Sequence, residues 1–145
     1  MPHARQQIRE AAATVLTGLA TSGSRVYQSR VHPLEAANLP CLLVNTDDEE
    51  VQGLKISSPD LLDRRLTLTV RAVAKASANL DDALDTMVAE VETALGGSTL
   101  GGLVKTLQLD SIAIEIEQND KPVGMARMSY SATYMTTANA PNVII

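Results

Sequence analysis

The sequence predicts an α+β domain: about four strands in a mixed or antiparallel sheet, with two α-helices packed on one face. Three observations predict it: two stripes of apolar residues at helical spacing, several segments of alternating polarity, and a length and composition suited to one core. At 145 residues the chain buries roughly two thirds of the surface it exposes when unfolded, so residues 1–145 read as a single domain. Hydrophobic residues make up 45% and charged residues 20%, which is not the profile of a disordered chain. There is no Trp or Phe, and Tyr27, Tyr130 and Tyr134 are the only aromatic residues, so the core must be aliphatic. Stacking platforms for bases are scarce, and the formal net charge of −5 opposes a phosphate backbone, so direct nucleic-acid binding is not expected.

Ile8, Ala11, Ala12, Val15, Leu16 and Leu19 recur at helical spacing and predict a first helix over about residues 4–20. Thr21 to Ser24 stop it. A short extended piece at Val26-Tyr27 leads to two X-Pro steps, His32-Pro33 and Leu39-Pro40, and then to a buried strand over Cys41–Asn45. The following segment, with the acids Asp47, Asp48, Glu49 and Glu50 and then Gly53 and Pro59, shows no sustained period and reads as a long loop over about residues 46–62. From Leu66 the apolar residues Leu66, Leu68, Val70, Ala72 and Ala74 alternate as in a half-buried strand. Asn79 is placed to cap a second helix, Asp81 and Asp82 suit its first turn, and Leu80, Leu84, Met87, Val88, Val91 and Leu95 form its apolar face. Gly96-Gly97 ends it, and residues 96–102 read as a flexible connector. Ile112, Ile114 and Ile116, then a polar turn at Gln118–Lys121, then Val123–Thr136 predict a β-hairpin. In the last strand Ala126, Met128, Tyr130, Ala132 and Tyr134 belong to the core. The opposite sheet face is mixed, with Val73, Met125 and Met135 among polar residues. Residues 138–145 form a tail.

No catalytic, cofactor-binding or metal-binding residue is expected. His3 and His32 stand in neither HExxH nor an i, i+4 pair. Adjacent acids at 47–50 lack the alternating spacing of a calcium loop. The glycine-rich 96–102 follows a helix and lacks the Lys-Ser/Thr of a phosphate loop, and no serine stands in G-x-S-x-G. Lone Cys41, inside an apolar run, reads as a buried thiol in a protein of a reducing cytoplasm. No apolar stretch approaches the roughly 18 residues of a membrane span, and the first residues lack a signal-peptide layout, so no membrane partner is expected. Three features remain as candidates for protein contact: the acids Asp47, Asp48, Glu49 and Glu50, the pair Arg64-Arg65, and the apolar end Val143, Ile144 and Ile145. The tail's apolar side chains must dock either on their own core or on a partner.

Taken in order, the first helix with Arg9, Val26-Tyr-Gln-Ser-Arg-Val-His-Pro33, Asn38-Leu-Pro-Cys-Leu-Leu-Val44 followed by acids, Asp63-Arg-Arg-Leu66, Leu80-Asp-Asp-Ala-Leu-Asp85 and Met128-Ser-Tyr-Ser-Ala-Thr-Tyr134 resemble the phage tail terminator proteins of the lambda type, the minor tail protein U-like family of siphophages. The resemblance covers nearly the whole chain and rests on the order of weak motifs. It implies an α+β subunit of a hexameric ring on the last ring of the tail tube, partnered by the tube protein and a head-completion or neck protein. It implies a structural virion protein at the head-proximal end of the tail, assembled in the host cytoplasm, with no enzymatic activity or cofactor, around a lumen that DNA crosses without specific binding. Some of Asp47, Asp48, Glu49, Glu50, Asp81 and Asp85 are expected to line that lumen, where like charge limits sticking. The alternatives are a head-tail connector or stopper subunit and, in another class, a small ligand-binding or enzymatic domain with a deep polar pocket.

Overall fold

A computed structural model describes residues 2–28, 39–54, 60–75, 79–117 and 123–145. Its elements are α1 (Ala4–Leu16), β1 (Val26–Tyr27), β2 (Cys41–Leu54), β3 (Leu61–Lys75), α2 (Leu80–Leu95), β4 (Thr106–Glu117) and β5 (Val123–Thr137). The α+β expectation holds, with five strands in place of about four. The sheet runs β1-β2-β3-β5-β4; β1 is parallel to β2 and every other neighbouring pair is antiparallel. The additional strand is the short piece Val26–Tyr27, paired with Leu42 and Leu43. His32 and the hairpin turn at 118–121 lie outside the described residues.

The long loop over about 46–62 is corrected. Residues 46–54 continue β2, and β3 begins at Leu61, so Glu49–Leu54 pair in register with Leu66–Leu61. Between Thr46 and Glu49 the register shifts: Asp47 and Asp48 oppose the single residue Thr67, a β-bulge that interrupts the two-residue period. Most side chains beyond the bulge face water, so the apolar alternation that marks a strand is missing although the backbone ladder is present. Residues 55–59 lie outside the described set.

The first helix is shorter than predicted because Gly18 adopts φ +95° and its N–H bonds the Gly23 carbonyl at 2.8 Å, turning the chain after Leu16. At the other end His3 Nδ1 accepts the Arg5 N–H at 3.0 Å and caps the first turn. In α2 the six residues of the predicted apolar face are all buried. Asn79 stands at the cap position without a side-chain bond to the backbone, leaving Asp81 and Asp82 to complement the helix N-terminus.

Helical residues Ile8, Leu16, Leu84 and Val91 share one cluster with Leu66, Leu68 and Val70 of β3 and Met128, Tyr130 and Tyr134 of β5. Packing is close at Gly124: a Cβ there would lie 2.6 Å from the Leu80 methyls, so glycine lets the start of α2 rest on β5. The 96–102 connector is anchored rather than slack, because Leu100 within it and Val104 just after it are buried in the same core. Cys41, buried as expected, packs with Val73 and Val123 in a second, smaller cluster. Burial raises its thiol pKa from the ordinary 9.0 to about 11.

The tail folds back on the chain. The Ala4 N–H bonds the Pro141 carbonyl at 3.0 Å, the Gln7 side-chain amide donates to the Asn142 carbonyl at 2.8 Å, and the Ile145 N–H bonds the Met135 carbonyl at 3.0 Å. Ile144 packs on the core, whereas Val143 and Ile145 remain 48% and 58% exposed.

Candidate assembly surfaces

Two of the acids and arginines singled out by sequence are held inside the molecule. The bulge in β2 places Glu49 opposite Leu66, on the core side of the sheet, where its carboxylate receives the Tyr134 hydroxyl and the Arg64 guanidinium, the latter at 3.1 Å. Arg64 Nε donates to Thr136 Oγ1 at 3.0 Å, and Arg5 of α1 lies 3.8 Å from the same carboxylate. Arg64 is 8% exposed, so this ion pair is largely desolvated and depends on its hydrogen bonds. Burial, then the bond to Glu49, pushes the Tyr134 hydroxyl well above the ordinary tyrosine range. The network ties the first turn of α1 to β2, β3 and β5.

The remaining candidates are spread over the sheet. Asp47 accepts the Thr69 hydroxyl, and Asp47, Asp48 and Glu50 are all exposed. Arg65, opposite Glu50 in register, donates from Nε to Ser131 Oγ at 3.2 Å and lies 4.0 Å from Asp110. Asp110 occupies a second bulge, between Leu109 and Ser111 of β4, and accepts the Ser131 hydroxyl. Glu50, Gln52, Asp63, Arg65 and Thr133 line a polar groove of about 360 Å³. The structure thus brings Glu50 and Arg65 together in register and joins Glu49 to Arg64 internally, while the Ile145 N–H bonds Met135, the residue between Tyr134 and Thr136 of that network.

A surface missed by sequence reasoning lies on β4. Ile112, Ile114 and Ile116 stand opposite Met128, Ala126 and Gly124, hence on the core side of the sheet, yet they are 43%, 48% and 51% exposed. The cause is their place in the strand order: β4 is an edge strand, and α2 packs on β3 and β5. Leu107 and Leu109, farther back on β4, still reach the core. The alternation of the isoleucines was visible in the sequence; the edge position that leaves them uncovered was not.

A groove of about 510 Å³ runs between Leu19-Ala20 and the outer side of α2 at Thr86, Ala89, Thr93 and Ala94. Glu90 on its rim is held by the Thr21 N–H at 2.9 Å and by the Thr21 hydroxyl. His3, Cys41, Tyr130 and Tyr134, whose pKa values depart from ordinary, line neither groove. Among the described residues no three His, Cys, Asp or Glu side chains converge on a possible metal site, and no helix is long and apolar enough to cross a membrane.

The sequence profile of the phage minor tail protein U family matches residues 3–134. The chain belongs to that family. It is therefore a structural protein of the phage tail, a component of the virion. Comparison with curated proteins gives no match. Among solved structures this tail protein is similar to a chain in the virion of a native gene transfer agent particle, with 18% identity, a TM-score of 0.43, and coverage of 92% of each chain.

Proposed function

We propose that this tail protein is the terminator of the tail tube: a ring, hexameric as the family resemblance implies, that caps the completed tube, halts its polymerisation and presents a surface for joining the head. The observation that carries this reading is the family match over residues 3–134, in a chain whose motif order follows the lambda-type terminators. Its own geometry is consistent with that role. Residues of both helices share one core with the inward side of β3 and β5, which leaves β4 uncovered at one edge and exposed Arg65 and Asp110, held over buried Ser131, available to neighbours. The protein acts as a structural subunit and not as an enzyme, and its partners are its own copies, the tube protein and a neck protein. Exposed Asp47, Asp48 and Glu50, together with Asp81 and Asp85 of α2, are the acids of the expected lumen set that remain available to face passing DNA. Glu49 is committed to Arg64 inside the molecule.

Because Glu49 and its ladder over Glu49–Leu54 are structural, removing that stretch would unfold the sheet instead of testing contact. The informative experiment is electron microscopy of virions lacking the protein. Tails of uncontrolled length are the expected result. Tails of normal length that fail to join heads would transfer the protein to a neck role, and normal virions would overturn both readings.

A further inference from the structure

The five strands line up so that Val26 of β1, Leu42 of β2, Ala72 of β3, Ala126 of β5 and Ile114 of β4 form a single row across the sheet. The exposed Ile112–Ile116 row and β1 therefore stand at the same level on opposite edges. The two sides also differ in charge. Residues 79–117, which build α2 and β4, carry eight acids against Lys105, two of which, Asp110 and Glu115, pair with Arg65 and Arg127, whereas residues 2–28, which build α1 and β1, carry Arg5, Arg9 and Arg25 against Glu10, with Arg5 near Glu49. Arg9 donates to the Gln28 side-chain carbonyl, and Arg25 to the Pro40 and Thr21 carbonyls. Among the described residues both cations thus hold neutral acceptors, and their charge is not cancelled by a carboxylate. The acids of the β2 bulge lie farther along the sheet, level with Leu66 and Leu68.

We infer that the β4 edge of one copy docks on the α1–β1 side of the next, the row Ile112, Ile114 and Ile116 supplying the buried centre and the acidic α2–β4 side meeting Arg9 and Arg25. This rests on the ring reading above and names the surfaces that would make the ring. The occupant is a second copy because the complement of each surface is on the same chain at the same level. The contact is head-to-tail because the two surfaces differ, and head-to-tail contacts generate closed rings or filaments, never isolated two-fold dimers.

The test uses the full chain on isolated tail tubes and in solution, by electron microscopy and light scattering. Ile114→Lys and Arg9→Glu should each lower self-association about tenfold or more, as loss of a central apolar or charged contact does. Ile114→Val and the control Val51→Lys, at an exposed apolar position elsewhere, should assemble as wild type. An equimolar mixture of Ile114→Lys and Arg9→Glu chains should give dimers joined by their one intact pair of surfaces. Rings from Ile114→Lys alone, or no dimer in the mixture of folded variants, would overturn the assigned surfaces while leaving the ring standing. Wild-type protein that remains single on tube ends would overturn the ring itself.

Discussion

Two tyrosines four positions apart on β5 share a face and differ at their hydroxyls. Tyr134 donates to Glu49, whereas the buried Tyr130 hydroxyl has no hydrogen-bond partner among the described residues. Burial, and secondarily Glu92, pushes the Tyr130 pKa up to about 12. Tyr134→Phe should cost about 1.5–3 kcal/mol in urea denaturation, because it takes a donor from a desolvated carboxylate. Tyr130→Phe should be neutral or stabilising, since it removes a polar group that gains nothing in the core. His3 gives a pH signature. Burial first, then Arg5 and Arg64, lowers its pKa below 6.5, and the neutral ring is the form that caps α1. Its contribution is present above 6.5 and is lost as pH falls through the lower folded value. Thermal unfolding followed from pH 7 downward should show a loss in wild type that His3→Ala lacks. At this scale the sequence revealed burial, as for Cys41 and both tyrosines, because alternation within a strand is local. It did not reveal that Glu49, third in a run of four acids, turns inward, because that depends on a bulge and on an arginine from another strand.

At the scale of elements, α2 and β5 were legible to within a residue or so, since each is long, strongly periodic and covered by neighbours. The second half of β2 was not, because a strand with water on most of its side chains loses the apolar signal while keeping its backbone ladder. Two glycines separate these cases. A Cβ added at Gly53, in that exposed half, would meet nothing within 4 Å, and the backbone there is ordinary extended chain. Gly53→Ala should therefore raise stability by about 0.5–1 kcal/mol by restricting the unfolded chain. Gly124→Val should lower it by roughly 1–3 kcal/mol, because Leu80 already fills the space. Parallel denaturation curves for the two variants check both. If residues 46–54 were an open loop instead of strand, Gly53→Ala would leave the midpoint unmoved.

For the whole molecule, α+β architecture was readable from element order, but strand order was not, because pairing between distant segments leaves no mark within either of them. That order decides which apolar row stays uncovered, and hence which surface is available for assembly. The charge division between the α1–β1 and α2–β4 sides predicts that association is fast at low ionic strength and slows as salt screens exposed charge over about 8 Å at physiological strength. Stopped-flow light scattering at several salt concentrations measures this, and a rate independent of salt would remove charge from the contact. The strand order has a temporal consequence as well. β5 lies between β3 and β4, and the start of α1 is bonded to Pro141, so the sheet and the first helix both wait for residues 123–141. A nascent chain that has not yet released β5 carries two unpaired strand edges, one of them bearing the isoleucine row. On the ribosome this fold is therefore unfinished until residues 123–141 have emerged, and a product truncated before them is a hazard to its neighbours instead of a partly working subunit.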